Sequence, residues 1–281
     1  MKLVRYGDLG HEQPGLIDQE GRLRALGDVI TDIDCAAITA EGLANLRSIP
    51  PSTLPLVQGA PRFGAPIANP RQFIAVGRNY AAHVQEAKFE LPTQPMVFSK
   101  AITSIAGSGD DIPLYRGSVR LDYEVELAIV ISKPAYRVEE RQALEYVAGY
   151  CICNDVSERE WQYDRGGVLS KGKSAPGYGP LGPWLVTADE VGDPQNLRLR
   201  TKVNGTIRQD GETAHMIFSV ANLIAHVTEF MALLPGDILT TGTPDGVALG
   251  MKPPQWLRED DIVEMDITGL GTMRQRVVAR D

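Results

Sequence analysis

Asp122-Tyr123-Glu124-Val125-Glu126-Leu127-Ala128-Ile129-Val130-Ile131 is the stretch that decides the fold class. Tyr123, Val125, Leu127, Ile129 and Ile131 alternate with Glu124, Glu126, Ala128 and Val130, which is the two-residue period of a strand. One face is apolar and fills a core. The other begins with two carboxylates and continues with Ala128 and Val130, so it is not simply a solvent face.

Working outward, short strands recur. Phe73-Ile74-Ala75-Val76 is a buried strand ended by Gly77, Asn79 to Lys88 has helical character and stops before Pro92, and Met96-Val97-Phe98 is another strand. Downstream, Glu139 to Tyr146 reads as a helix and Val147 to Asn154 as a strand. Asn204-Gly205, flanked by Lys202-Val203 and Thr206-Ile207, is a strong two-residue hairpin signal. It also matches a glycosylation sequon, but the hairpin reading prevails without a secretory signal. Ile217 to Leu234 carries Phe218, Ala221, Leu223, Ile224, Val227, Phe230, Met231 and Leu234 at helical spacing, with Pro235-Gly236 to stop it. Asp237 to Thr240, Ile262 to Ile267 and Arg274 to Val278 are the last strands, with Gly269-Leu270-Gly271 as a turn. Many short strands and few helices predict a β-rich α+β protein, not a doubly wound sheet.

Residues 1–65 read as a small N-terminal α+β unit. Gly15 to Asp18 and Arg22 to Leu26 form a short hairpin, and residues 39–48 a short helix. Six prolines between Pro50 and Pro70 forbid a helix or central strand and mark an extended linker. A second, larger domain is then expected over 66–281.

Composition narrows the function. The 281 residues are 43% hydrophobic and 23% charged, enough for a sizeable core, and 28 Gly with 19 Pro predict many loops. A net charge of −8 offers no basic stripe for phosphates, which argues against nucleic acid. No run approaches the ~18 apolar residues of a membrane span, and Met1 to Gly7 lacks the apolar segment of a signal peptide. Cys35, Cys151 and Cys153 are too few and too unevenly spaced for a disulfide framework or zinc knuckle, so they read as reduced, buried side chains in a cytoplasmic protein.

Several segments can carry chemistry. Glu124 and Glu126, two residues apart on a strand, share a face at ~7 Å. Two such carboxylates repel unless one is protonated or a cation bridges them, although acidic pairs with a structural role are equally common. Asp155, in Asn154-Asp155-Val156-Ser157 after a strand, adds a third. Three carboxylates without paired His or Cys select a hard cation, Mg²⁺, Mn²⁺ or Ca²⁺. In Arg78-Asn79-Tyr80-Ala81-Ala82-His83-Val84-Gln85-Glu86, His83 and Glu86 are i,i+3 neighbours if helical. A carboxylate partner makes a His a general base, while on spacing alone an exposed surface pair is the commoner outcome.

Gly167-Val168-Leu169-Ser170-Lys171-Gly172-Lys173-Ser174 matches the phosphate-loop pattern at each fixed position. That motif needs a buried strand before it and a helix after it. Glu158 to Arg165 is no buried strand and Ala175 to Pro180 no helix, so the nucleotide-binding reading fails. Lys173, on a Gly/Pro loop, can still place one charge on a substrate oxygen. Thr240 to Val247 is a glycine-rich turn offering donors to an anion; such turns more often only redirect the chain. His215, His226, Trp161, Trp184 and Trp256 read as structural.

Taken together, Val76-Gly77-Arg78-Asn79-Tyr80 with His83 and Glu86, Asp122-Tyr123-Glu124-Val125-Glu126-Leu127, Asn154-Asp155-Val156-Ser157, Gly172-Lys173-Ser174 leading to Gly179-Pro180-Leu181-Gly182-Pro183-Trp184, and Pro235-Gly236-Asp237 leading to Thr241-Gly242-Thr243-Pro244 resemble, in order, the motifs of the fumarylacetoacetate hydrolase family. The resemblance covers residues 70 to 281. Met1 to Gly7 and Pro14 to Asp18 resemble its subgroup of 2,4-diketo-3-deoxy-aldonate hydrolases and ureidoglycolate lyases. It implies a mixed β-roll, a small N-terminal domain and a homodimer. It implies Glu124, Glu126 and Asp155 as ligands of Mg²⁺ (Mn²⁺ or Ca²⁺ as substitutes), and His83 with Glu86 as a base dyad on a lid segment. Lys173 and Gln162 join them as catalytic residues, with Arg78, Tyr80 and Thr243 as substrate contacts. Relatives commonly continue Lys-Ser with Phe-Asp-Thr; Ala175-Pro176-Gly177 here removes an aromatic wall and an acid from the distal pocket.

The function expected is hydrolysis of a carbon–carbon bond in a small 2,4-dioxo acid, an acylpyruvate or a 2,4-diketo-3-deoxy sugar acid. Oxaloacetate decarboxylation, diacid isomerisation and ureidoglycolate cleavage use the same kind of site. A binding protein without turnover is the alternative of a different class.

Overall fold

The computed structural model describes all 281 residues. Its strands are β1 (Lys2–Tyr6), β2 (Gln13–Ile17), β3 (Leu23–Ala25), β4 (Phe73–Gly77), β5 (Met96–Lys100), β6 (Ile105–Gly107), β7 (Ile112–Tyr115), β8 (Leu121–Asp122), β9 (Val125–Ile131), β10 (Val147–Asn154), β11 (Ser157–Glu158), β12 (Gly179–Thr187), β13 (Arg198–Val203), β14 (Thr206–Glu212), β15 (Ile238–Thr240), β16 (Ile262–Ile267) and β17 (Gly271–Arg280). The α-helices are short: α1 (Ala40–Arg47), α2 (Ala81–Glu86), α3 (Arg159–Tyr163), α4 (Leu169–Lys173), α5 (Ala188–Val191) and α6 (Val220–Phe230). None is long and apolar enough to cross a membrane.

A mixed ten-stranded sheet runs β3-β2-β1-β12-β10-β9-β15-β4-β5, with β6 beside β12, and a second sheet runs β14-β13-β16-β17-β7. The β-rich α+β class is the one expected. β9 lies near the middle of the large sheet and is buried on both faces. Val125, Leu127, Ile129 and Ile131 join the core shared with α6 and the second sheet, while Ala128 and Val130 face a second core built by Leu3, Leu16, Leu26, Ile38, Leu43 and Leu46. Each fully buried side chain of this kind stabilises the fold by ~1.5–3 kcal/mol. β1 pairs β12 with Lys2 opposite Val186 and Leu3 opposite Leu185. The N-terminal unit is thus joined to the remainder by a continuous sheet and a shared core across the proline-rich segment.

The hairpins form as expected. Gly15 sits opposite Ala25, and Asn204 and Gly205, both at positive φ, make the β13–β14 turn. The helix expected over Glu139 to Tyr146 forms as a 3-10 helix, Glu140–Tyr146. Three expectations are corrected. The strand expected over Asp122 to Ile131 breaks at Tyr123-Glu124: β8 pairs β11 while β9 pairs β10 and β15, because the chain changes partner there. The long helix is shortened to Val220–Phe230; Ser219 caps its start, and from Met231 the chain is extended so that Leu233 and Ala135 exchange backbone bonds of 2.9 Å. Phe230 is consequently exposed. Cys151 and Cys153 are buried but Cys35 is exposed.

Candidate active site

The open end of β9 carries the first carboxylates. Glu126 begins the face that continues into Ala128 and Val130, and Glu124 stands on the break before the strand. Asp155 follows β10, whose Asn154 pairs with Val125, and the Asp155 N–H donates to the Glu124 carbonyl at 2.9 Å. One oxygen from each of Glu124, Glu126 and Asp155 lies within 4.8 Å of the others, and all three residues are buried.

Buried carboxylates at this spacing require compensation. Lys173 Nζ donates to Glu124 at 2.7 Å and to Asp155 at 2.6 Å. Lys100 donates to the other Asp155 oxygen. Arg159 donates to Glu124 at 2.5 Å and to Asp122 at 2.9 Å. Burial raises the Glu124 carboxyl, but Arg159 and Lys173 outweigh it and hold the group far below its usual range. The same carboxylates hold Lys173 above its ordinary value against desolvation. Glu126 has no cationic partner at hydrogen-bond distance; it accepts from the Gly242 N–H at 3.0 Å. Burial, then the charges of Asp155 and Glu124, push it well above the usual carboxylate range.

Hard oxygen donors, a surplus buried negative charge and a carboxylate without a counter-ion suit a divalent cation of the Mg²⁺, Mn²⁺ or Ca²⁺ type. The expected anion-binding turn at Thr240 to Val247 therefore has an anion already: Gly242 serves Glu126.

α2 supplies the second component. His83 Nδ1 lies 3.0 Å from Glu86 Oε1, and both Glu86 oxygens accept from the Gly246 N–H at 3.1 and 3.0 Å. With a carboxylate as acceptor, Nδ1 carries the proton and Nε2 is left as the basic nitrogen. His83 is buried in the wall of a cleft that is also lined by Glu124, Glu126, Asp155, Lys173 and Gln162. The surface-pair alternative is thereby excluded for His83.

The remaining expected residues divide. Arg78 lines the cleft at φ +57° with its guanidinium 4.0 Å over the Phe89 ring. Gln162 accepts from Arg159 at 3.2 Å through Oε1, leaving its amide N–H₂ to donate. Thr243 lines the cleft, but its hydroxyl donates to the Val125 carbonyl at 2.9 Å and accepts from Gln209 at 2.7 Å, so it has no proton to offer a ligand. Tyr80 is buried and does not line the cleft, a correction that follows from its place ahead of α2, where it bridges Met216. Lys173 stands in the last turn of α4, not on a loop. α4 crosses α3 so closely that a Cβ on Gly172 would lie 2.6 Å from the Glu158 carbonyl. This packing accounts for Gly-Lys here without a phosphate loop. Ala175 to Gly177 does not line the cleft; Phe89, Phe98, Tyr163 and Leu169 supply its apolar wall.

Sequence reading missed Lys100 and Arg159. Lys100 has a faint signal, a lysine closing the apolar run Met96-Val97-Phe98; Arg159, between two glutamates, has none.

Residues 72–278 match the family model for the fumarylacetoacetate hydrolase C-terminal domain. A protein of Burkholderia multivorans, provisionally named a hydrolase, is 50% identical over 276 residues, 98% of either chain. The fumarylacetoacetate hydrolase of Exiguobacterium antarcticum is 34% identical with a TM-score of 0.85, and the maleylpyruvate hydrolase of Sphingobium sp. SYK-6, solved with manganese(II) and pyruvate, is 25% identical with a TM-score of 0.84; both are covered along the whole of each chain. The chain belongs to the fumarylacetoacetate hydrolase family.

Proposed function

We propose that the protein hydrolyses the C3–C4 bond of a 2,4-dioxo acid, giving pyruvate and a carboxylic acid. The observation that carries this reading is the meeting, in one cleft, of a buried His83–Glu86 pair with the Glu124, Glu126 and Asp155 cluster. Manganese and pyruvate in the Sphingobium enzyme support the same assignment.

His83 Nε2 takes a proton from water as the oxygen adds to the 4-carbonyl. Glu86, fixed by Gly246, keeps the imidazole in the required tautomer and stabilises the imidazolium. The C3–C4 bond then breaks, its electron pair becoming a pyruvate enolate, and the proton held by His83 returns to C3. Lys173 lies beside the carboxylates that face this charge and offers a fixed ammonium to it. The Gln162 amide orients the water or the substrate, and Arg78 holds a substrate oxyanion. A divalent ion, Mg²⁺ in first place, held by Glu124, Glu126 and Asp155 would supply Lewis-acid stabilisation of the enolate charge. The substrate is a small dioxo acid, a sugar-derived one in first place, and the working unit a homodimer.

The test follows ultraviolet absorbance of a panel of 2,4-dioxo acids with Mg²⁺, with Mn²⁺ and with chelator, for wild type and His83→Ala. Metal-dependent loss that disappears in the variant is expected. No loss with any member overturns the reading and directs attention to oxaloacetate, ureidoglycolate and unsaturated diacids.

A further inference from the structure

Asp122 is wholly buried and belongs neither to the carboxylate triad nor to the base dyad. Its Oδ1 accepts from the Tyr123 N–H at 2.9 Å and the Ala248 N–H at 2.8 Å; its Oδ2 accepts from the Leu249 N–H at 3.1 Å and from Arg159 Nε at 2.9 Å. Four donors on one carboxylate is close to its full capacity. These donors lead in two directions. Arg159 continues to Glu124 and Gln162. Ala248 and Leu249 begin the helical turn Ala248–Gly250, whose chain presents the Gly246 N–H to Glu86.

This turn is shaped around Glu86. Gly246 stands at φ +99°, and a Cβ there would lie 1.9 Å from the Arg208 carbonyl; a Cβ on Gly250 would lie 2.4 Å from the Glu86 carboxylate. The backbone comes so close that Glu86 has little freedom to leave His83. Glu86 and Gly246 are 160 residues apart, so this bond depends on the anchorage of the turn, by Asp122 at Ala248 and Leu249 and by the Tyr123 hydroxyl, which donates to the Gly246 carbonyl at 3.0 Å.

We propose that Asp122 is a positioning residue that holds both halves of the site in register, the dyad through the Gly246–Gly250 turn and the carboxylate cluster through Arg159. The proposal rests on the functional reading above for the roles of the two halves. A residue that merely stabilised the fold would not move metal affinity and the dyad together at a temperature where the protein is folded.

Asp122→Asn keeps the shape but turns an N–H₂ toward donors. Mn²⁺ affinity by calorimetry is expected to fall about tenfold, and kcat at saturating Mn²⁺ about tenfold as well, in the range of supporting-shell substitutions. Gly250→Ala pushes Glu86 alone: kcat is expected to fall about tenfold with Mn²⁺ affinity held within about twofold. The proposal is overturned if Asp122→Asn moves one quantity only, or neither, or if Gly250→Ala weakens Mn²⁺ as much as Asp122→Asn does. Should Asp122→Asn not fold, Ala248→Pro deletes one donor at the first position of a helical turn, where proline fits, and is read in the same way. Should no dioxo acid be turned over, the functional reading fails separately. The dyad is then followed by the His83 Nδ1 proton resonance, whose loss in Asp122→Asn alongside weaker Mn²⁺ binding supports the coupling and whose persistence overturns it.

Discussion

Around Glu126, the four carboxylates of Asp122, Glu124, Glu126 and Asp155 meet three cations, Lys100, Arg159 and Lys173. Around Glu12, the three carboxylates of Glu12, Asp32 and Asp110 meet two, Arg5 and Arg62. Each cluster has one carboxylate in excess, yet the consequences are opposite. Side chains of the first cluster are at most 6% exposed, and the surplus falls on Glu126, whose carboxyl is driven up. Side chains of the second are 7–25% exposed. Burial raises Glu12 there too, but the hydrogen bond and charge of Arg62, with the charge of Arg5, outweigh it and leave the group lowered. Water near the second cluster screens the excess charge; the first has no such relief, and a bound cation would supply it. The same imbalance is a structural tie in one place and a candidate cation site in the other.

The strongest way to break this comparison is to remove the surplus. Glu126→Gln should abolish measurable Mn²⁺ binding and lower turnover roughly a thousandfold, about 4 kcal/mol of transition-state stabilisation. The metal-free protein should melt about 2–4 °C higher, as expected for ~1 kcal/mol of relieved repulsion. A lower melting temperature would mean that Glu126 is not in excess. His83→Ala should cost about 10²- to 10⁴-fold in turnover and leave Mn²⁺ affinity unchanged by calorimetry, which separates the dyad from the charge cluster.

Lys100→Met increases the surplus and leaves an Asp155 oxygen without its cation. Metal-free protein should lose about 3 kcal/mol in urea unfolding, and added Mn²⁺ should restore more stability than it gives wild type.

The smallest effect belongs to the more exposed cluster. Arg62→Ala should cost about 1–2 kcal/mol at pH 7, after allowance for solvent screening. Because Glu12 is lowered in the fold, its pairing contributes above the unfolded carboxylate value of about 4.3 and is lost as pH falls through the folded value. The gap between wild type and Arg62→Ala should thus narrow below about pH 4; a gap independent of pH would assign the loss to packing of the arginine stem.

The cluster of three carboxylates was legible in part because its first two members obey a local rule. Glu124 and Glu126 share a side by the two-residue period of an extended chain, and His83 and Glu86 meet by the three-residue step of α2, so neither relation needs the remaining chain. Asn204-Gly205 made its turn for the same local reason. The helical period runs on through Met231 and Leu234, but α6 ends at Phe230 because the Leu233–Ala135 bridge holds the following chain extended, a contact that no helical period reveals. Lys100 and Arg159 were missed because a cation's partner is set by chain crossing: Lys100 meets Asp155 across 55 residues and Arg159 meets Glu124 across 35.

Periodicity and side-chain type in the chain were enough for the β-rich class, for an apolar face of β9 whose opposite face is not simply wet, and for Glu124, Glu126 and Asp155 as candidate ligands, while His83 with Glu86 rose above a surface pair only through the resemblance to the family. Packing of distant segments settles that Glu126 goes without a cation at hydrogen-bond distance, that Gly242 and Gly246 direct their N–H groups to the protein's own carboxylates, and that the Thr243 hydroxyl is already engaged. Those outcomes depend on burial and on hydrogen bonds between distant segments, and both are properties of the packed chain.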